Sequence, residues 1–219
     1  MPLFVTKVLI IFFSFAIILM IYIFFYLKKR LNMAAIRNYQ PKDRENVRMV
    51  CMHTGPGKAL LNDGPERKLL LAAYCDYYIE REPQNCFVAA DDNDEAVGYI
   101  LCAEDYKSYR KVFLRDYAPK VKSTGLVQKV EFYGAAILPV FFAEKYPAHL
   151  HIDILEDYQR MGLGSRLMDA LTAHLRGKGV PGVMLGVGAE NKKGRNFYKK
   201  YGFKKLLRIP FSVVMGLEL

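Results

Sequence analysis

Six consecutive residues, Gln159-Arg160-Met161-Gly162-Leu163-Gly164, form a glycine-rich turn between an apolar-alternating stretch, His149 to Leu155, and an amphipathic one, Ser165 to Lys178. A strand passing through such a turn into a helix leaves several backbone N–H groups aimed at one spot. The positive end of the helix dipole lies behind them, and the arrangement binds a pyrophosphate. The turn therefore predicts a phosphate-bearing ligand. A second group of residues stands just before it. His149, His151 and Asp153 alternate with Leu150, Ile152 and Ile154, so strand geometry puts the three polar side chains on one face. His151 ordinarily titrates near neutral pH and Asp153 is spaced to orient it. The pair is the best constellation in the chain for a general base. A polar strand face that only shapes a pocket is the alternative. His174 and His53 read as structural.

The elements that must position these groups are legible on both sides. Leu167, Met168, Leu171 and Leu175 recur at helical spacing and give Ser165 to Lys178 one buried stripe, which Gly179-Val-Pro-Gly182 ends. Downstream come a strand at Val183 to Val187, a helix at Lys192 to Tyr201 stopped by Gly202, and strands at Phe203 to Leu207 and Ser212 to Leu217. Upstream, the spacing predicts a strand at Ala34 to Asn38, a helix from Pro41 to about His53, a helix at Glu66 to Arg81, paired strands at Asn85 to Ala90 and Ala96 to Ala103, and a helix at Asp105 to Asp116. Pro119 to Ala143 reads as a loop, apolar enough from Phe132 to Phe142 to line a pocket or touch a membrane. Gly55-Pro-Gly-Lys58 lacks a preceding buried strand and a Ser or Thr after its lysine, so it reads as a plain loop. Strand-helix-strand units flanking the glycine turn make a mixed α/β layer.

The chain has 219 residues and a net charge of +10. Lys7, Lys28, Lys29 and Arg30 supply four of those charges, with no acid before Met33, and the rest of the chain is basic as well. That balance suits an anionic ligand or an anionic membrane surface. No helix-turn-helix, zinc-finger or aromatic RNA-binding pattern accompanies it, which argues against a nucleic-acid partner. Cys51, Cys75, Cys86 and Cys102 form no C-x-x-C pair and sit in apolar runs. They read as buried reduced thiols, and no metal is expected.

Val8 to Leu27 is an uncharged apolar stretch of a length that spans a bilayer, succeeded at once by Lys28-Lys29-Arg30. Tyr22 and Tyr26 lie near the basic end, where interfacial aromatics belong, and the positive-inside bias puts the domain after Arg30 in the cytoplasm. A cleaved signal peptide fits worse, because the stretch has no small-x-small cleavage site after it. Met33-Ala-Ala-Ile-Arg would itself be a natural start, so residues 1–32 are either an anchor or an upstream extension. The expected organisation is an anchor with its basic flank over residues 1–32 and one domain over 33–219.

The second half of the chain resembles the GNAT superfamily of N-acetyltransferases. Gln159 with Met161 to Gly164 is similar to that family's Q/R-x-x-G-x-G/A motif. Val183-Met-Leu-Gly-Val187, Asn191, Gly194 and Phe197-Tyr198-Lys-Lys-Tyr-Gly202-Phe203 resemble its N-x-x-A-x-x-F-Y-x-x-x-G-F segment, with Gly194 where alanine is usual. The likeness covers roughly residues 34 to 219. Tyr146-Pro-Ala-His-Leu-His-Ile-Asp153 also resembles the acetyltransferase-like domain attached to some O-GlcNAc hydrolases and its stand-alone bacterial relatives; no hydrolase domain is present.

The resemblance implies a mixed, mostly antiparallel sheet flanked by helices, here preceded by one transmembrane helix. It also implies direct acetyl transfer from acetyl-CoA to an amine acceptor. Acetyl-CoA would lie between the strand before the glycine turn and the next parallel strand. The backbone N–H groups of Arg160, Met161, Gly162, Leu163, Gly164 and Ser165 would hold its pyrophosphate, with Arg160, Arg166 or Lys192 adding charge. Ile154 and Leu155 would meet the acetyl carbonyl and pantetheine through their backbone, one N–H facing the developing oxyanion. Asn191 would contact the CoA arm, or cap the helix starting at Lys192, or both. Tyr198 would donate a proton to the departing thiolate. A non-catalytic acyl-CoA-binding or interaction module tethered to the membrane is the alternative.

Overall fold

A computed structural model describes residues 17–22, 34–55, 63–121 and 138–219. The chain divides into two compact units, Met1–Ala34 and Ala35–Leu219. In the first, residues 17–22 are helical and exposed. The rest of the expected anchor lies outside the described residues, as do Lys58 and the apolar run up to residue 137. Among the described residues no helix is long and apolar enough to cross a membrane.

In the second unit the described residues form a sheet of strands β1 (Ala35–Asn38), β2 (Phe87–Ala90), β3 (Ala96–Ala103), β4 (Ala148–Ile154), β5 (Gly182–Gly188), β6 (Lys204–Arg208) and β7 (Ser212–Glu218). Their order is β1-β2-β3-β4-β5-β7-β6. β4 and β5 run parallel and every other neighbouring pair is antiparallel. The helices are α1 (Arg44–Thr54), α2 (Pro65–Leu71), α3 (Tyr77–Arg81), α4 (Tyr106–Val112), α5 (Leu163–Gly177) and α6 (Lys192–Tyr201). A π-helical turn, Ala72–Asp76, joins α2 to α3, and another, Phe113–Tyr117, extends α4. The helices expected at Glu66 to Arg81 and Asp105 to Asp116 therefore exist, each loosened in the middle or at its end.

The two faces of the sheet are covered differently. Tyr99, Leu101 and Ala103 of β3 and Met184 of β5 pack beneath Val47, Val50, Leu71, Cys75, Tyr78 and Tyr109 from α1 to α4. α5 covers the opposite face. Its stripe of Leu167, Met168, Leu171 and Leu175 is fully buried, as the helical spacing requires. With both faces covered, all of β3 is buried, although only alternate residues face each side. The four cysteines are free thiols, all buried.

Candidate active site

β4 and β5 are registered at two residue pairs, Ala148 with Val183 and His149 with Met184. Beyond these the strands part. β4 stays with β3 as far as Gly98 opposite Ile154, and β5 stays with β7 as far as Gly188 opposite Ser212. The result is a wedge-shaped gap in the middle of the sheet. Backbone polarity along it is set by the register. Leu155 N–H donates to the Val97 carbonyl at 3.0 Å, so odd-numbered positions of β4 direct their backbone groups to β3. Ile152 and Ile154 then direct theirs into the gap. From the other side Ala189 N–H donates to the Phe211 carbonyl at 3.1 Å, which turns the backbone of Gly186 toward the gap in the same way. This corrects the expectation for Leu155: its N–H is already bonded to β3, and the donors facing the gap are Ile152 and Ile154.

The glycine turn closes the wide end of the wedge. Gln159 Nε2 donates to the Ile154 carbonyl at 2.9 Å, tying the turn to the strand end. Arg160 has φ 62° and Gly162 has φ 79°, two left-handed residues separated by Met161. Such alternation curls successive N–H groups toward a common centre. Gly162 is also the N-cap of α5, which begins at Leu163 rather than at Ser165. Its first capping bond is Arg166 N–H to the Gly162 carbonyl, 3.1 Å, so the N–H groups of Leu163, Gly164 and Ser165 belong to the open first turn. No acidic residue occupies that turn.

The two glycines act differently. A side chain on Gly162 would meet nothing within 4 Å, so this glycine is required by its φ and leaves open space over the turn. A Cβ on Gly164 would stand 3.2 Å from Phe197 Cζ, so this glycine admits α6 against the start of α5. A ligand with a pyrophosphate fits this turn: open donors, a helix N-terminus, no competing carboxylate, and room above Gly162.

α6 brings Tyr198 to the site, and its motif residues have local reasons. Asn191 caps the helix, its Oδ1 accepting from Gly194 N–H at 2.8 Å. A Cβ on Gly194 would lie 2.8 Å from Asn191 Nδ2, so glycine rather than alanine is what lets this cap sit down. At the other end Gly202 has φ 115°; Gly202 N–H donates to the Lys199 carbonyl at 3.2 Å and Phe203 N–H to the Tyr198 carbonyl at 2.9 Å. This is a Schellman ending, and its customary apolar contact is the Tyr198 ring against Phe203, with centroids 5.6 Å apart. The F-Y-x-x-x-G-F spacing thus fixes the base of the Tyr198 ring.

Tyr198 is half-buried. Burial, and then the nearby Asp153 carboxylate, raise its pKa above the ordinary tyrosine range. It is a weaker acid than an unperturbed phenol.

His149, His151 and Asp153 do share one face of β4, opposite Ala103, Leu101 and Tyr99 of β3. Their environments separate them. The Tyr78 hydroxyl lies 2.9 Å from His149 Nδ1, and burial lowers the pKa of that imidazole to about 4. His151 is ringed by Tyr74, Tyr78 and His149 with centroids 4.9, 5.3 and 4.9 Å away. Burial, and then His149, hold it well below the usual histidine range. His151 is therefore neutral at pH 7 but a weak base, which corrects the expectation that it titrates near neutrality.

Asp153 does not orient His151. It accepts a hydrogen bond of 2.6 Å from the Tyr99 hydroxyl instead. Burial lifts its carboxyl to about 6, against the opposing effect of the Tyr99 hydrogen bond. The expected Asp153 is present, and Tyr99 is the partner that sequence reasoning missed. Finding Tyr99 required the β3 to β4 register. His174 bonds through Nε2 to the buried Asn85 Oδ1 at 2.9 Å and is structural, as expected. Among the described residues no cluster of three His, Cys, Asp or Glu side chains could hold a metal ion.

A family model for the Acetyltransferase (GNAT) family matches residues 58–203, the stretch that holds the wedge, the glycine turn and Tyr198. The chain belongs to the GNAT acetyltransferase family. Among solved structures, this GNAT chain is similar to SsHAT at 28% identity and a TM-score of 0.74, covering 84% of this chain and 97% of that one. It shares its fold with Ard1 from Thermoplasma volcanium, at 20% identity and a TM-score of 0.54 over 85% of this chain and 98% of that one. The PaiA N-acetyltransferase from Thermoplasma acidophilum, solved in complex with coenzyme A, matches at 15% identity and a TM-score of 0.53, over 84% and 98% of the two chains.

Proposed function

We propose that this GNAT enzyme transfers the acetyl group of acetyl-CoA directly to an amine acceptor, with the donor laid in the β4/β5 wedge. The observation that carries the reading is the joint geometry of that wedge and the turn at Arg160 to Ser165, which presents open backbone donors at both ends of one groove. The coenzyme A complex of the PaiA fold neighbour agrees with it. The N–H groups of Met161 to Ser165 hold the pyrophosphate, and Arg160 and Arg166 add charge. Ile154, with Ile152, faces the acetyl oxygen through backbone N–H and stabilises the charge that develops there. Asp153, ionised above about pH 6, takes the proton from the acceptor's ammonium so that the amine's lone pair can attack. As the C–S bond breaks, Tyr198 gives its phenolic proton to the thiolate, and the second proton shed by the acylated nitrogen restores the phenol. His151 shapes the pocket as a neutral ring, and Asn191 remains available to the CoA arm beyond its capping bond.

The test is calorimetric titration of acetyl-CoA into the full chain and into Gly162→Val, and then thiol release with a panel of primary amines. Binding that Gly162→Val loses, with turnover on at least one amine, supports the reading. Binding without turnover on any amine would favour the non-catalytic module.

The length of Val8 to Leu27 and the basic run after it support a membrane-anchored enzyme with its domain on the cytoplasmic side. Alkaline extraction of membranes and protease accessibility of sealed vesicles test this.

A further inference from the structure

Asp153 sits where β4 leaves β5, and one oxygen of its carboxylate is held by a buried hydroxyl. Tyr99 stands directly opposite it in the β3 to β4 register and donates its hydroxyl proton to Oδ2 at 2.6 Å. Tyr99 is fully buried in the central strand, so its hydroxyl is fixed in direction by a ring that cannot move. Thr54, the last residue of α1, does not share that role, because its hydroxyl proton goes to the Val50 carbonyl at 2.8 Å. Tyr99 is thus the dedicated donor. The other titratable groups around the carboxylate are Tyr198 from α6 and His151 two residues along β4, with Cys51 and Cys75 behind Tyr99. Tyr198 and Cys75 are uncharged at pH 7 in this setting, and His151 is neutral.

We propose that Tyr99 is a positioning residue for proton removal: its hydroxyl pins one carboxylate oxygen of Asp153 and stabilises the ionised form, leaving the other oxygen to the acceptor amine. This rests on the reading that Asp153 accepts the acceptor's proton. A hydrogen bond to the charged form lowers a carboxyl's pKa, so removing it raises the pH at which the base becomes available. Tyr99→Phe deletes the hydroxyl and keeps the ring that fills β3.

The experiment has two readouts on the full chain. The first is infrared or carbon-13 titration of the Asp153 carboxyl, assigned by its loss in Asp153→Asn. The second is the pH profile of kcat/KM for acetyl-CoA with whichever primary amine of the panel turns over. In Tyr99→Phe the carboxyl midpoint and the acid limb of the profile both move up by about one pH unit or more, the scale of a hydrogen bond to a charged group. Activity recovers toward the wild-type value at pH 8 to 9, which a merely structural role would not produce. Fluorotyrosine at position 99, a stronger donor of nearly the same shape, moves the midpoint down, and serves if Tyr99→Phe fails to fold. A midpoint unmoved in both variants, or an activity loss equal at every pH, overturns the proposal. An active Asp153→Asn would instead overturn the assignment of the base, leaving the Tyr99 hydrogen bond a structural one.

Discussion

The Tyr78 hydroxyl and His149 Nδ1 share a 2.9 Å hydrogen bond beneath the rings of Tyr106 and Tyr109. The imidazole it fixes has a folded pKa of about 4 against an ordinary value of 6.5. As pH falls the unfolded chain therefore binds this proton first, and stability is lost from about pH 6.5 down to about 4. The difference amounts to about 2 kcal/mol between pH 7 and 5. Asp153, raised to about 6, works in the opposite direction over part of that range. His149→Gln, which keeps a polar partner for Tyr78 and cannot titrate, isolates the histidine. Urea unfolding midpoints should fall less between pH 7 and 5 in the variant than in the wild type. Parallel pH dependences would show that His149 protonates in the folded protein.

Gly162→Val forces a β-branched residue to φ 79°. The expected cost is about 1–2 kcal/mol of stability, together with at least a tenfold loss of acetyl-CoA affinity measured by calorimetry. Gly162→Asn, which tolerates the left-handed region, should retain more of both. Equal affinities for the wild type and the valine variant would remove the turn from the binding site.

Tyr198→Phe removes the phenolic proton and keeps the contact with Phe203 that ends α6. Acetyl-CoA binding should be unchanged while kcat falls by about 10²-fold, the usual scale of acid catalysis. An unaltered kcat would mean that the thiolate leaves without help from this residue.

Gly194→Ala tests whether the cap or the helix propensity prevails. Alanine in a helix is worth about 1 kcal/mol over glycine, and an asparagine cap is worth about as much. The added Cβ would lie 2.8 Å from Asn191 Nδ2 and displace the cap, so the single change should be near neutral. In an Asn191→Ala background the same substitution should stabilise by its full propensity. Thermal denaturation of the four proteins gives the coupling, and additivity would deny the competition.

Sequence alone locates the strands at β4, β5 and β7, the buried stripe of α5, the bounds of α6 and the turn between Gln159 and Gly164, because each is written in local periodicity or in a glycine at a required φ. What it misses is non-local. The partner of Asp153 lies on β3, and only the register that places Tyr99 opposite it reveals the hydrogen bond. The weak basicity of His151 comes from enclosure by Tyr74 and Tyr78, which the π-helical turn at Ala72–Asp76 and the start of α3 bring over β4. The Leu155 N–H turns away from the gap because parity along β4 is set by Val97, a residue on another strand. The need for glycine at 164 is non-local too, since a Cβ there would meet Phe197 of α6 at 3.2 Å.

The parting of β4 from β5 also bears on the order in which the domain assembles. β5, β6 and β7 are consecutive in the chain but for α6, and they pair among themselves. β3 and β4, by contrast, must close a loop that contains α4 and the residues up to Pro147. Chain-entropy arguments favour the short closures first. The C-terminal three-stranded ribbon can thus form early as one nucleus and β1 to β4 as another. The two registered pairs at Ala148 and His149, with α5 laid across, then join them as a seam. So short a seam makes the groove an outcome of how two preformed halves meet, and substitutions at Ala148 or Val183 should slow the joining step more than any other.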